Sequence, residues 1–162
     1  TIWPICRCSA ISAEGCENLI SKIIKDIPYG PQLYPQDMIS DQPENFMLAE
    51  LIREQVLLHT REEIPHSVAV KIDKIEDIQL SKKNNKSNAL TGILATIWVE
   101  RKSQKGILIG KGGSMLKTIG KGARVQMQNL INGSIYLELF VKVTPDWRMK
   151  PARLAELGYE DR

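Results

Sequence analysis

The chain is short of the residues that build metal centres and secreted scaffolds. It holds two histidines and three cysteines in 162 residues, and Cys6, Cys8 and Cys16 form no CxxC pair and have no nearby histidine to complete a zinc set. An odd, unspaced cysteine count argues against a disulfide framework and fits a reducing compartment, so the three thiols are expected to be buried and free. No apolar run approaches the roughly 20 residues that a membrane-spanning helix needs. The opening TIWPICRC lacks the basic region, apolar stretch and cleavage site of a signal peptide. It also lacks an initiating methionine, as expected of an excised or incomplete piece of a longer protein.

What is present is 43% apolar residues, enough for a core, and a net charge of +3 that is unevenly spread. Residues 1–60 carry four Lys/Arg against eight Asp/Glu, residues 61–91 six against five, and residues 92–162 twelve against six. A basic C-terminal half points to a polyanionic partner for that end, with a solvated lysine face as the plain alternative.

IWPICRCSA reads as a short buried strand, and GCENLISKIIKDIP as a helix with Leu19, Ile20, Ile23, Ile24 and Ile27 on one face, ended by Pro28 and Gly30. Four prolines between residues 28 and 43 make an extended connector and a domain boundary. Asp41, three residues before Glu44 and with Pro43 between them, predicts a capped helix running to about Thr60 and stopped by Pro65. SVAVKID alternates Val68, Val70 and Ile72 against polar neighbours, a half-buried strand, and SKKNNKSN at 81–88 is a loop. GILATIWVERK turns Ile93, Ala95, Ile97 and Val99 inward, and IYLELFVKV does the same with Ile135, Leu137, Leu139, Val141 and Val143. Leu116, Ile119, Ala123, Met127 and Leu130 predict a helix from Ser114 to Ile131, ended by Asn132-Gly133. From residue 42 the order is helix, strand, strand, glycine loop, helix, strand, an α+β class with helices on one face of a three-stranded sheet.

The glycine loop carries the chemistry. GILIGKGGSMLKTIGKG, residues 106–122, is no phosphate-binding P-loop, because Gly106 and Gly110 are one residue too close and Gly112 follows Lys111 where a hydroxyl belongs. The dinucleotide pattern GxGxxG fails as well, since Met115 replaces its last glycine. GxxG at Gly110, Lys111, Gly112 and Gly113 remains, and in KH domains that loop clamps about four backbone nucleotides of a single strand. Without Cβ atoms the sugar-phosphate chain can lie against the main chain, and the next helix's N-terminal amides favour anions. Lys111 places a charge at the tip, Lys117, Lys121 and Arg124 are backbone-contact candidates, Ile109 is a floor for bases, and Arg148 and Lys150 extend the track. Gly120 and Gly122 are read as structural, Trp98 as packing a neighbouring helix, and His59 and His66 as polar ends of elements without catalytic roles. A protein-docking edge is the competing use of the same loop.

With those residues in place, the chain resembles the C-terminal part of an Era-type GTPase. The likeness rests on IPYGPQLYPQDMISDQPENFMLAELIREQVL, EEIPHSVAVKID, ILATIWVERKSQKGILIGKGGSMLKTIGKGAR, YLELFVKVTPDWR and LAELGY. The resemblance implies that residues 1–30 are the last strand and helix of a Ras-like GTPase domain, 31–42 a linker, 43–150 a type II KH domain in α-β-β-α-α-β order, and 151–162 a C-terminal tail. It implies that Ser9 and Ala10 are the remnant of a loop beside the guanine base, although Ala13 stands where the family usually has glycine and GKGAR adds a second helix glycine. The implied function is single-stranded RNA binding near the 3′ end of 16S rRNA during small ribosomal subunit assembly, in a bacterial cytoplasm or an organelle matrix. Its implied partners are the small subunit, the protein's own N-terminal GTPase domain and, weakly, the inner membrane surface. GTP and magnesium are implied for the parent protein and no cofactor for this segment. P-loop, switch threonine, DxxG and NKxD do not occur in these residues, so this segment alone is not expected to hydrolyse GTP. A stand-alone KH protein and a ribosome-docking module are the alternatives.

Overall fold

The chain divides into two units, Thr1–Asp41 and Gln42–Arg162. The computed structural model describes residues 5–35, 42–62, 64–78 and 90–159.

In the first unit a tight turn, in which the Ser9 N–H donates to Glu14 O at 2.9 Å, leads into α1 (Cys16–Asp26). Ala13 takes φ 59° there, the left-handed region that a glycine would occupy without strain. Ile20, Ile23, Ile24 and Ile27 line one side of the α1 segment and are 48–64% exposed. Two expectations fail here. Of the strand expected over IWPICRCSA, residues 2–4 lie outside the described residues, and residues 5–9 form no strand, with Ile5 exposed; a strand needs a hydrogen-bonded neighbour, and the described residues of this unit supply none. The cysteines, expected to be buried, are not: Cys8 is exposed and Cys6 and Cys16 only half-buried, since no second layer covers them among the described residues of the unit.

The second unit opens with α2 (Glu44–His59), which buries Leu48, Ala49, Ile52 and Val56 along one stripe. Its N-cap is Pro43, and Asp41, the expected cap, lies outside the described residues. The helix ends at Thr60, whose hydroxyl turns back to donate to Val56 O at 2.7 Å. Pro65 is therefore not the stop. It sits in the first turn of the short α3 (Ile64–Ser67), where a missing N–H is harmless.

Strands β1 (Ala69–Ile78) and β2 (Leu90–Val99) pair antiparallel, and β2 pairs parallel with β3 (Ser134–Val143), in the order β1-β2-β3. The loop expected at 81–88 lies outside the described residues. A parallel pair requires a crossover. It is supplied by α4 (Lys102–Ile109), one 3-10 turn over Lys111–Gly113, and α5 (Ser114–Ile131). The segment leading into the glycine loop, α4, is a full helix. Gln104 makes it so: its Oε1 accepts the N–H groups of Glu100 and Arg101 at 3.0 Å each, and its Nε2 donates to Ser67 Oγ at 2.9 Å. The resulting α-β-β-α-α-β order, with α2, α4 and α5 on one sheet face, is the α+β fold that the resemblance implies.

The inner sheet face follows the alternation expected of it. Ile93, Ala95, Ile97 and Val99 of β2 with Ile135 and Val141 of β3 pack against Leu48, Ile52, Val56, Leu108, Ile119, Ala123 and Met127. On the outer face Trp98, 2% exposed, meets Ala69, Trp147 and Leu157, with Leu154 of α6 (Pro151–Glu156) packed against them. Arg153 and Lys142 lie over its ring at 5.6 and 5.8 Å. Trp98 thus packs a neighbouring helix. The stretch expected as a tail supplies that helix.

Candidate nucleic-acid interface

The GxxG loop is held open by its own backbone. Gly110, Gly112 and Gly113 have φ of 71°, 59° and 80°, and a Cβ at Gly110 would lie 2.8 Å from Met115 Cβ and 2.9 Å from its amide nitrogen. Only glycine fits there. Around Gly112 and Gly113 the space is empty, so something as bulky as a nucleotide backbone can approach. No side chain caps α5 and no acidic residue stands in its first turn, which leaves the positive end of the helix facing the loop.

From that loop a groove of about 420 Å³ runs between α5 and β3, lined by Gly113, Leu116, Lys117, Gly120, Lys121 and Arg124 on the helix side and Leu137, Glu138 and Leu139 on the strand side. Spacings of four and three put the three cations on one stripe. None of them, nor Lys111, makes an ion pair among the described residues. One wall is therefore a row of uncommitted positive charge and the floor is apolar.

Of the residues singled out in the sequence, Gly113, Lys117, Lys121 and Arg124 line this groove, and Gly110, Lys111 and Gly112 form the loop leading into it. Ile109 is not among the lining residues: it is half-buried and packs against the core, and Leu116, Leu137 and Leu139 provide the apolar floor. Arg148 is not in the groove either. Its guanidinium donates to both carboxylate oxygens of Glu100 at 2.9 and 3.0 Å and to His66 O at 2.9 Å, and the Glu100 hydrogen bonds raise its pKa. Lys150 donates to Pro145 O at 3.4 Å and is likewise absent from the lining. In the first unit Ser9 Oγ accepts the Ser12 N–H at 3.3 Å and Ala10 is exposed on the turn.

The two helix glycines separate. A Cβ on Gly122 would fall 2.0 Å from Gln55 Oε1, so this glycine lets α2 and α5 close together. Gly120 faces the groove, where a Cβ would sit 3.4 Å from Leu139 Cδ1. Gly120, Leu116, Leu137, Glu138 and Leu139 are site residues that the sequence reading missed. Leu137 and Leu139 were visible as inward strand positions and Leu116 as an apolar helix position, but nothing local says which strand edge borders which helix.

The residues present do not fit a magnesium nucleotide. The loop holds no hydroxyl between Gly110 and Gly113, and no group of three or more His, Cys, Asp or Glu among the described residues could hold a metal ion.

A KH domain family model matches residues 63–148. GTPase Era of Nostoc sp. is 54% identical over 157 residues, 97% of this chain and 46% of that protein. GTPase Era of Rippkaea orientalis is 52% identical over 98% of this chain and 48% of its own length. Among solved structures, Era in complex with MgGDPNP and nucleotides 1506–1542 of 16S ribosomal RNA superposes with a TM-score of 0.83 at 40% identity, over 95% of this chain and 49% of that one. A variant of Aquifex aeolicus Era bound to GDP and aluminium fluoride gives the same figures. The chain spans about half the length of the relatives it matches. Since the matched segment runs from the turn before β1 through the loop, α5 and β3, and takes in more than half of the residues, the chain belongs to the KH domain family, in the form found in Era-type GTPases.

Proposed function

We propose that this chain is the RNA-binding part of an Era-type GTPase and grips single-stranded RNA near the 3′ end of 16S rRNA. The observation that carries the reading is the groove between α5 and β3, where Lys117, Lys121 and Arg124 stand without ion-pair partners among the described residues, beside a GxxG loop open to solvent. Phosphates lie along the cations and the loop amides, Lys111 adds charge at the entrance, and bases rest on Leu116, Leu137 and Leu139. The structure of a similar protein with nucleotides 1506–1542 of 16S ribosomal RNA supports this choice of partner.

In the whole protein, GTP hydrolysis with magnesium would belong to residues beyond this chain. The apolar side of α1, uncovered among the described residues of its unit, supports packing against the rest of a GTPase domain, with the Ser9-Ala10 turn beside the guanine base. Work on the small ribosomal subunit in the cytoplasm, with weak peripheral membrane attachment, completes the proposal. No described helix is long and apolar enough to cross a membrane.

The test is titration of a labelled single-stranded oligoribonucleotide at several salt concentrations. Contacts to three phosphates predict a slope of about −2 in log affinity against log salt. A slope near zero would favour protein docking instead.

A further inference from the structure

Among the described residues the groove has one acidic residue, and its position is informative. Glu138 lies in the middle of β3, the edge strand, between the two floor leucines in sequence and alternating to the other side of the strand from them. It therefore borders the groove at the exposed edge of the sheet, with its side chain on the outer side of that edge beside Tyr136 and Phe140. It is exposed and makes no ion pair among the described residues, so it does not serve to neutralise Lys117, Lys121 or Arg124. On the same side of β3, Tyr136 and Phe140 flank it and are 53% and 50% exposed.

A strand whose phosphates follow the cationic wall must point its bases across the floor toward β3, and the edge of a base that passes the leucines meets this border of the sheet. An ionised carboxylate only accepts hydrogen bonds. It pairs with the exocyclic amino group of cytosine or adenine and with the adjacent N–H donors of guanine. Uracil offers a single N–H between two carbonyl oxygens, which a carboxylate repels. The exposed rings on either side provide faces on which such a base can stack.

We propose that Glu138 is a specificity determinant that selects bases carrying an amino group and discriminates against uracil. This rests on the RNA-binding reading above, and the experiment separates the two. Binding of labelled cytidine, adenosine and uridine homo-oligomers of equal length is measured for the unaltered chain, Glu138→Gln and Glu138→Ala. Because the residue is exposed on an edge strand, both variants are expected to keep the melting temperature. The unaltered chain should favour the cytidine and adenosine oligomers over uridine by on the order of tenfold, and both variants should bring the three within about twofold, with uridine gaining most. A uniform tightening of all three, leaving their ratios unchanged, would show that Glu138 acts only as a nearby negative charge and would overturn the proposal. Salt-insensitive or absent binding of every oligomer by the unaltered chain would overturn the RNA reading itself and this inference with it.

Discussion

Along α5, Lys117, Lys121 and Arg124 face a groove without ion-pair partners among the described residues, whereas beyond β3 Arg148 is bound to Glu100 and Arg153 to Glu156, which also takes Lys71. The difference separates two uses of positive charge. A cation that is to exchange water for phosphate gains most when no carboxylate must be displaced first. A cation already bridged contributes little field at a distance and instead fastens chain to chain. Arg148 joins the segment after β3 to the β2–α4 junction and to the His66 carbonyl, while Arg153 helps cover Trp98. One set awaits a ligand and the other holds the sheet's outer face closed.

The most severe way to break this contrast is to attack the loop. Lys111→Asp with Gly112→Asp should lower RNA affinity beyond measurement, by at least about 100-fold, because two carboxylates then meet the phosphate path. The fold should survive. Gly112 sits at φ 59° with open space around it, and the left-handed region is tolerated by Asp at about 1–2 kcal/mol or less. Fluorescence anisotropy and a circular dichroism melt would decide it, and unchanged affinity in the folded double variant would defeat the assignment.

Next in size is a direct exchange of the two cation sets. Replacing Lys117, Lys121 and Arg124 together by glutamine should flatten the salt dependence by about 2, whereas Arg148→Gln should leave the slope unaltered and lower stability by no more than about 1 kcal/mol. Should Arg148→Gln reduce the slope instead, the division between the sets is wrong.

Much of this was readable in advance where one element carries the whole signal. The limits of α5, the alternation in β2 and β3, and the row Lys117, Lys121, Arg124 all follow from periodicity within a single segment. What failed depended on residues distant in the chain. Arg148 looks as free as Lys117 until folding brings Glu100, 48 residues earlier, against it. Residues 102–109 carry Gly106 and little periodicity, and their helix depends on Gln104 reaching Ser67. The strand side of the groove was invisible because only the sheet order makes β3 an edge beside α5.

The two helix glycines give a finer test of the same division between binding and framework. Gly120→Ala should raise stability by about 1 kcal/mol, the ordinary gain in a helix, since its Cβ would make only van der Waals contact with Leu139. It should weaken RNA binding, because that methyl group enters the groove. Gly122→Ala should do the reverse. Its Cβ displaces the buried Gln55 amide from Gln126, 3.2 Å away, and the lost hydrogen bond of about 1–3 kcal/mol outweighs the helix gain, while affinity stays the same. Chemical denaturation and anisotropy on both variants would show the crossed pattern or its absence.

The smallest effect concerns acid. Hydrogen bonds from Lys71 and then Arg153 hold the Glu156 carboxyl below its ordinary pKa. A group whose pKa is depressed by folding binds fewer protons in the native state, so its stabilisation is complete above the unfolded value of about 4.3 and fades as pH falls through the folded one. Glu156→Gln should therefore lower the melting temperature by a small constant amount at neutral pH, and the gap to the unaltered chain should narrow progressively as pH falls below about 4. Since the pair is exposed, the gap at neutral pH should also shrink with added salt. RNA affinity should be the same in both chains, because this carboxylate serves the cations that fasten α6, not those that face the groove. A gap that widens on acidification would mean that Glu156 is protonated more readily in the folded chain than in the unfolded one, and that Lys71 and Arg153 are not its partners in solution.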